Sequence, residues 1–119
     1  MTGRQETVVH ITTDEASGWE MALRNLQNLV RDRSVSTPPE EMSVVVNGPA
    51  VRFLLAGSPD AFKITKMAEA GVTISVCSNS LTRFDYDPEE IAEGATVVQS
   101  GIAEVVRAQQ QGHHYLKLP

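Results

Sequence analysis

"GVTISVCSNSLTRF" (residues 71–84) carries a change of period that orients the whole chain. Val72, Ile74 and Val76 share one face of a short β-branched run, the pattern of a strand set against a core. Gly71 before it suits the left-handed stop of a preceding helix. After Cys77, the only cysteine in the chain, the pattern breaks into Ser78, Asn79 and Ser80. A strand that follows a helix stop and ends in a polar turn is one unit of an alternating fold. It also raises a chemical question, because the lone thiol stands at the strand's carboxyl end.

The alternation extends outward in both directions. "TVVHIT" (7–12) is short, β-branched and followed by polar residues, as expected of a buried strand ending in a loop. Ser17 and Glu20 have the spacing of a capping box. They open a helix in which Trp19, Ala22, Leu23, Leu26, Leu29 and Val30 recur at helical spacing. "DRSVSTPPEE" (32–41) is a polar surface loop, too short to separate two domains. "MSVVVN" (42–47) is the second strand. "GPAVRFLLAG" (48–57) predicts a short helix with Pro49 in its first turn, and Ser58 and Pro59 open another that stops at Gly71. Asp87, Pro88 and Glu90 mark a capped short helix, and "ATVVQ" (95–99) a fourth strand. Ser100 caps a helix with Ile102, Val105 and Val106 directed inward and Gly112 at its end; "HHYLKL" is the last strand. The expectation is one α/β layered domain over residues 1–119, with a mostly parallel sheet.

The totals narrow the function classes. A chain of 119 residues buries an adequate single core. Hydrophobic residues at 41 % and charged residues at 21 % describe a globular protein. The net charge is −5, with Lys and Arg scattered singly, so no basic stripe is present to neutralise a run of phosphates. Aromatic residues, at 5 %, are too few for base-stacking platforms. No apolar run approaches the ~20 residues that cross a bilayer, and "MTGRQET" has no apolar segment of a secretory signal. With a single cysteine and no internal disulfide, a reducing cytoplasm is the expected setting.

Ligands of open parallel sheets gather at the carboxyl ends of the strands. That rule collects His10 and Thr12 to Asp14 from strand one, and Asn47-Gly48-Pro49 from strand two. Strand three adds Cys77 to Ser80, and strand four Gln99 to Gly101. A thiol just before a helix start faces unpaired N–H groups and the positive end of a dipole, both of which favour the nucleophilic thiolate. The other reading of Cys77 is a small apolar filler, since free cysteine is among the most buried residue types. His10 reads as a hydrogen-bonded core histidine. His113 and His114 are adjacent and point to opposite faces of a strand, so they do not share a metal. No zinc-ligand spacing, Walker pattern or GxGxxG is present, so neither a metal nor a cofactor is expected.

Taken together, "VVHITTDEASGWEMALRNLQNLV", "VVVNGPAVRFLL", "ITKMAEAGVTISVCSNSL" and "VVQSGIAEVVRAQQQGHHYLKLP" resemble the DsrE/DsrF-like (YchN-like) family, from about Val8 to Leu118. The resemblance implies a three-layer α/β/α sandwich around a five-stranded parallel sheet, assembled as a homotrimer, hexamer or dimer. It also implies a sulfur carrier or sulfurtransferase: Cys77 would take sulfane sulfur as a persulfide from a donor protein and pass it to an acceptor thiol. His10, Asn47, Gly48, Ser78 and Asn79 would line the substrate site. The alternative is a non-catalytic oligomeric module that binds a small ligand or partner at the same strand edge.

Overall fold

The computed structural model describes residues 6–35 and 37–119. Five strands alternate with helices: β1 (Thr7–Ile11), α1 (Ala16–Arg31), β2 (Met42–Val46), α2 (Ala61–Ala70), β3 (Thr73–Cys77), α3 (Ser78–Arg83), β4 (Ala95–Val98), α4 (Gly101–Gln110) and β5 (His114–Leu118). The strands form one sheet in the order β4-β3-β2-β1-β5, and every pairing is parallel. The three-layer α/β/α sandwich anticipated above is what forms.

The order follows from where the helices lie. From β1 to β4 the chain steps across the sheet in one direction, with α1, α2 and α3 packed on one face. There Val9, Ile11, Val44, Val46, Ile74 and Val76 form the main core with Trp19 and Leu26 of α1, Ile64 of α2 and Leu81 of α3. After β4 the chain reverses and crosses back to β5. A right-handed crossover in that direction sends its helix to the other face. That helix is α4, and Val105 packs there on Val8 and Val45. One face thus carries three helices and the other only one.

Some helix ends behave as the sequence predicts. Gly71 stops α2 at φ +117°, a conformation with little steric cost for glycine alone. The Ser100 hydroxyl accepts the Ala103 N–H, and Asp87 and Glu90 form a complete capping box around a single 3-10 turn. Others differ. The Ser17 capping box does not form: α1 begins at Ala16, and it is Thr13 Oγ1 that accepts the Glu15 N–H, at 3.1 Å. The α2 helix opens at Asp60 rather than Ser58, with no side-chain cap. Residues 48–54 wind as a 3-10 helix and stop at Leu54, short of Gly57. Of the three α4 residues expected inward, only Val105 is buried. Ile102 is 53 % and Val106 47 % exposed, because a helix lying alone on a sheet buries one narrow stripe.

Two glycines with positive φ give a matched test of packing against backbone strain. A Cβ at Gly94 (φ +99°) would stand 2.7 Å from Ala68 Cβ, whereas at Gly112 (φ +89°) it would meet nothing within 4 Å. Gly112→Ala should cost about 1–2 kcal/mol, the left-handed penalty alone. Gly94→Ala should cost a further 1–3 kcal/mol or so from overpacking. Urea unfolding of both variants measures the difference, and equal midpoints would contradict this account.

Candidate functional site: a sulfur among backbone amides

Cys77 ends β3 opposite Val98 of β4. Alternation along the strand puts its side chain on the same face as Ser75, which pairs with Val45 beneath α4. The crossover that carries α4 over this face starts at the end of β4, next door, so the first turn of α4 arrives beside the thiol. The approach is close. A Cβ on Gly101 would lie 3.3 Å from Cys77 Cβ, 3.1 Å from Asn47 Cβ and 3.2 Å from Val45 Cγ1. Glycine at that position lets the helix come down onto the sulfur.

The Ser80 hydroxyl and the backbone N–H groups of Gly101, Ser80 and, least of all, Asn79 stabilise a negative charge on Cys77 Sγ. Ser80 Oγ itself accepts the Gly48 N–H at 2.7 Å, which leaves its proton free to point at sulfur. Burial pushes the thiol up, since the residue is only 5 % exposed. The Ser80 hydroxyl and the three amides outweigh that effect, and the pKa falls below its ordinary value. Despite its burial, the thiol therefore gives up its proton more readily than a free one.

The other predicted site residues separate into contributors and bystanders. Gly48, at φ +68°, acts through Ser80. The Asn79 N–H donates to the Gln99 carbonyl at 3.3 Å while also lowering the thiol pKa slightly, and its side-chain carbonyl accepts Gln99 Nε2 at 3.1 Å, linking the ends of β3 and β4. Ser78 supplies none of the groups that lower the Cys77 pKa. His10 is buried, as expected of a core histidine, with Nε2 2.5 Å from Asn47 Oδ1 and Nδ1 3.1 Å from the Tyr115 hydroxyl. This chain of polar groups ends at Asn47, whose Cβ shares Gly101 as a close neighbour with Cys77. Ser80 and Gly101 both stood at the predicted strand edge, and Tyr115 was absent from it. Gly101 and Tyr115 depend on strand neighbours that local pattern does not reveal.

Elsewhere, a cavity of about 730 Å³ lies between Trp19, Arg52 and Tyr86, and a smaller one of about 150 Å³ between α4 and the hydroxyls of Ser43, Thr73 and Ser75. Cys77 lines neither. Among the described residues no group of three or more His, Cys, Asp or Glu side chains could hold a metal ion. No helix among them is long and apolar enough to cross a membrane.

The lowered thiol pKa fixes the sign of a stability effect. The folded state binds fewer protons than the unfolded one between the native pKa and the unfolded value of about 8.5. Stability should therefore rise with pH through that window, be fully present above about 8.5, and be lost as pH falls through the native pKa. Cys77→Ser, which has no thiol to titrate, should lack this rise when both proteins are unfolded in urea from pH 5 to 9. In Gly101→Ala, the displaced N–H should shift the midpoint of iodoacetamide alkylation upward, toward that of a free thiol.

Known proteins give the fold a context. A protein of unknown function from Methanobacterium thermoautotrophicum is 29 % identical, with a TM-score of 0.86 over 96 % of this chain and 99 % of that one. A conserved protein of unknown function from Bacteroides thetaiotaomicron is 20 % identical, with a TM-score of 0.74 over 96 % of this chain and 95 % of its own. The ychN protein from E. coli is 15 % identical and shares the fold at a TM-score of 0.74, over 97 % and 100 % of the two chains. No curated protein matches the sequence. The DsrE/DsrF-like family model matches residues 8–118, so the chain belongs to this family, which is linked to sulfur relay in general.

Proposed function

We propose that this protein carries sulfane sulfur as a persulfide on Cys77 and hands it to an acceptor thiol. The observation that supports this most is the setting of one thiol at the carboxyl edge of a parallel sheet, with Gly101 at the start of α4 pressed against it and the Ser80 hydroxyl, held by the Gly48 N–H, lowering its pKa. A filler cysteine needs no such donors. A nucleophile that must stay ionised while buried does.

The chemistry balances without an oxidant. The Cys77 thiolate attacks the outer sulfur of a donor persulfide or of thiosulfate. The new Cys–S–S bond forms as the donor's own sulfur–sulfur bond breaks, and the electron pair leaves on the donor thiolate or sulfite. In the second step an acceptor thiolate attacks the outer sulfur and Cys77 leaves, again as a thiolate. The Ser80 hydroxyl and the amides hold the negative charge on Sγ before the first step and after the second. Because Cys77 is 5 % exposed, the donor gains entry by displacing the exposed Asn79 and Gln99 side chains that join the two strand ends. With one cysteine per chain, the acceptor thiol comes from another molecule.

Self-association is a second element of the proposal. Ile102 and Val106, four apart on α4, turn a half-exposed apolar stripe away from the sheet, on the helix whose first residue touches Cys77. A second copy would cover it, consistent with the assembly that the family resemblance implies. This element of the proposal rests on that resemblance, whereas the expected cytoplasmic setting rests on the lone, unpaired cysteine.

Incubation with thiosulfate or with a cysteine desulfurase and cysteine should add one sulfur atom to the intact mass, removable by dithiothreitol, and Cys77→Ser should gain none. The absence of an adduct, while a small thiol in the same tube becomes persulfidated, would overturn the proposal. Light scattering of the wild type should give a mass above one chain, and Ile102→Lys with Val106→Lys should return it to that of a monomer.

A further inference from the structure

The lower edge of the sheet, opposite Cys77, has a feature that sulfur relay does not use. α1 and α2 lie side by side on the crowded face, and toward the strand starts they leave a slot of about 360 Å³ between them. Leu23, Leu26 and Val30 form one wall, Phe62 and Met67 the other, and Met42 and Val72 the floor. The volume falls within the range of about 300–1,000 Å³ typical of small-ligand sites, and so does the predominantly apolar lining. Phe62 stands at the lip, 59 % exposed, an unusual position for a large aromatic in a surface that it does not need to solubilise.

Charge distinguishes this slot from an ordinary seam between helices. Every charged residue that lines it is a cation: Arg31 at the end of α1, and Lys63 and Lys66 on α2. The chain as a whole carries −5. Lys63 is paired with Asp60 at 3.3 Å, whereas Arg31 and Lys66 have no ion-pair partner among the described residues. An apolar slot with two unneutralised cations at its rim complements a molecule with an apolar body and one anionic end. A partner helix, about 10 Å across, would lie over such a slot rather than in it. An alkyl chain enters it.

We propose that the groove between α1 and α2 binds a small amphiphilic carboxylate, with its hydrocarbon body between Leu26, Met67 and Val72 and its carboxylate held by Arg31 and Lys66. The site is independent of Cys77 and stands or falls separately from sulfur transfer.

Calorimetric titration with decanoate, decanol and decylammonium, each below its micelle concentration, tests this. Decanoate should bind the full chain most tightly and decylammonium most weakly. The double variant Arg31→Gln/Lys66→Gln alters two exposed side chains and should leave the fold intact. It should weaken decanoate roughly tenfold while leaving decanol unchanged. Amide chemical shifts that move with decanoate should cluster on residues 23–31 and 62–72. Equal affinity for decanoate and decanol in the wild type would mean that the lysine stems merely cover apolar surface, and would overturn the proposal. So would binding of none of the three probes. If the groove is instead covered by a second copy, decanoate will not bind and Phe62→Lys will dissociate the assembly in sedimentation, which also overturns it.

Discussion

The backbone N–H groups that lower the Cys77 pKa come from two different helices, and their approach to one sulfur organises the upper edge of the sheet. Asn79 and Ser80 belong to the short helix that continues from β3. Gly101 belongs to α4, which follows the neighbouring strand and crosses on the opposite face. The two meet at sulfur only because β4 lies beside β3 and because residue 101 has no side chain to hold the helix off. Ser80 is fixed in turn by the Gly48 N–H, so the turn after β2 also bears on the thiol. Residues from three strand ends thus act on one atom. Each helps offset the cost of placing a sulfur anion where it is 5 % exposed.

The same topology explains why the two faces differ. Three helices cover one side of the sheet and give it a conventional aliphatic core, including the stacked pair Trp19 and Phe53 with centroids 5.0 Å apart. The single helix on the other side leaves room for polar groups. His10 and Ser75 are buried there, and both ring nitrogens of His10 are hydrogen-bonded, to Asn47 and to Tyr115. Cys77 shares this sparsely covered face with Ser75 and His10.

Which features were legible in the sequence follows from their range. Gly71, Ser100 and the Asp87–Glu90 box are local devices, and their residue types at those spacings were sufficient to place helix ends. The Ser17 box was equally local yet did not form, because Thr13 captured the Glu15 N–H and the helix is capped at Glu15, two residues earlier. Ile102 and Val106 matched an apolar helical face. Their exposure reflects the number of helices on that side of the sheet, which periodicity along one helix does not encode. Cys77 was visible at a strand tip. The partners that make it more than a filler were only partly visible, since Gly101 and Tyr115 reach the site through the adjacency of β4 to β3 and of β5 to β1.

Thiolate absorbance at 240 nm, followed against pH for the native protein and for the same protein unfolded in urea, tests the central claim most directly. The account predicts that folded Cys77 ionises at a clearly lower pH than the unfolded chain, whose midpoint should fall near 8.5. A native midpoint at or above the unfolded one would contradict it, and would leave Cys77 a buried apolar side chain whose neighbouring amides do not stabilise charge.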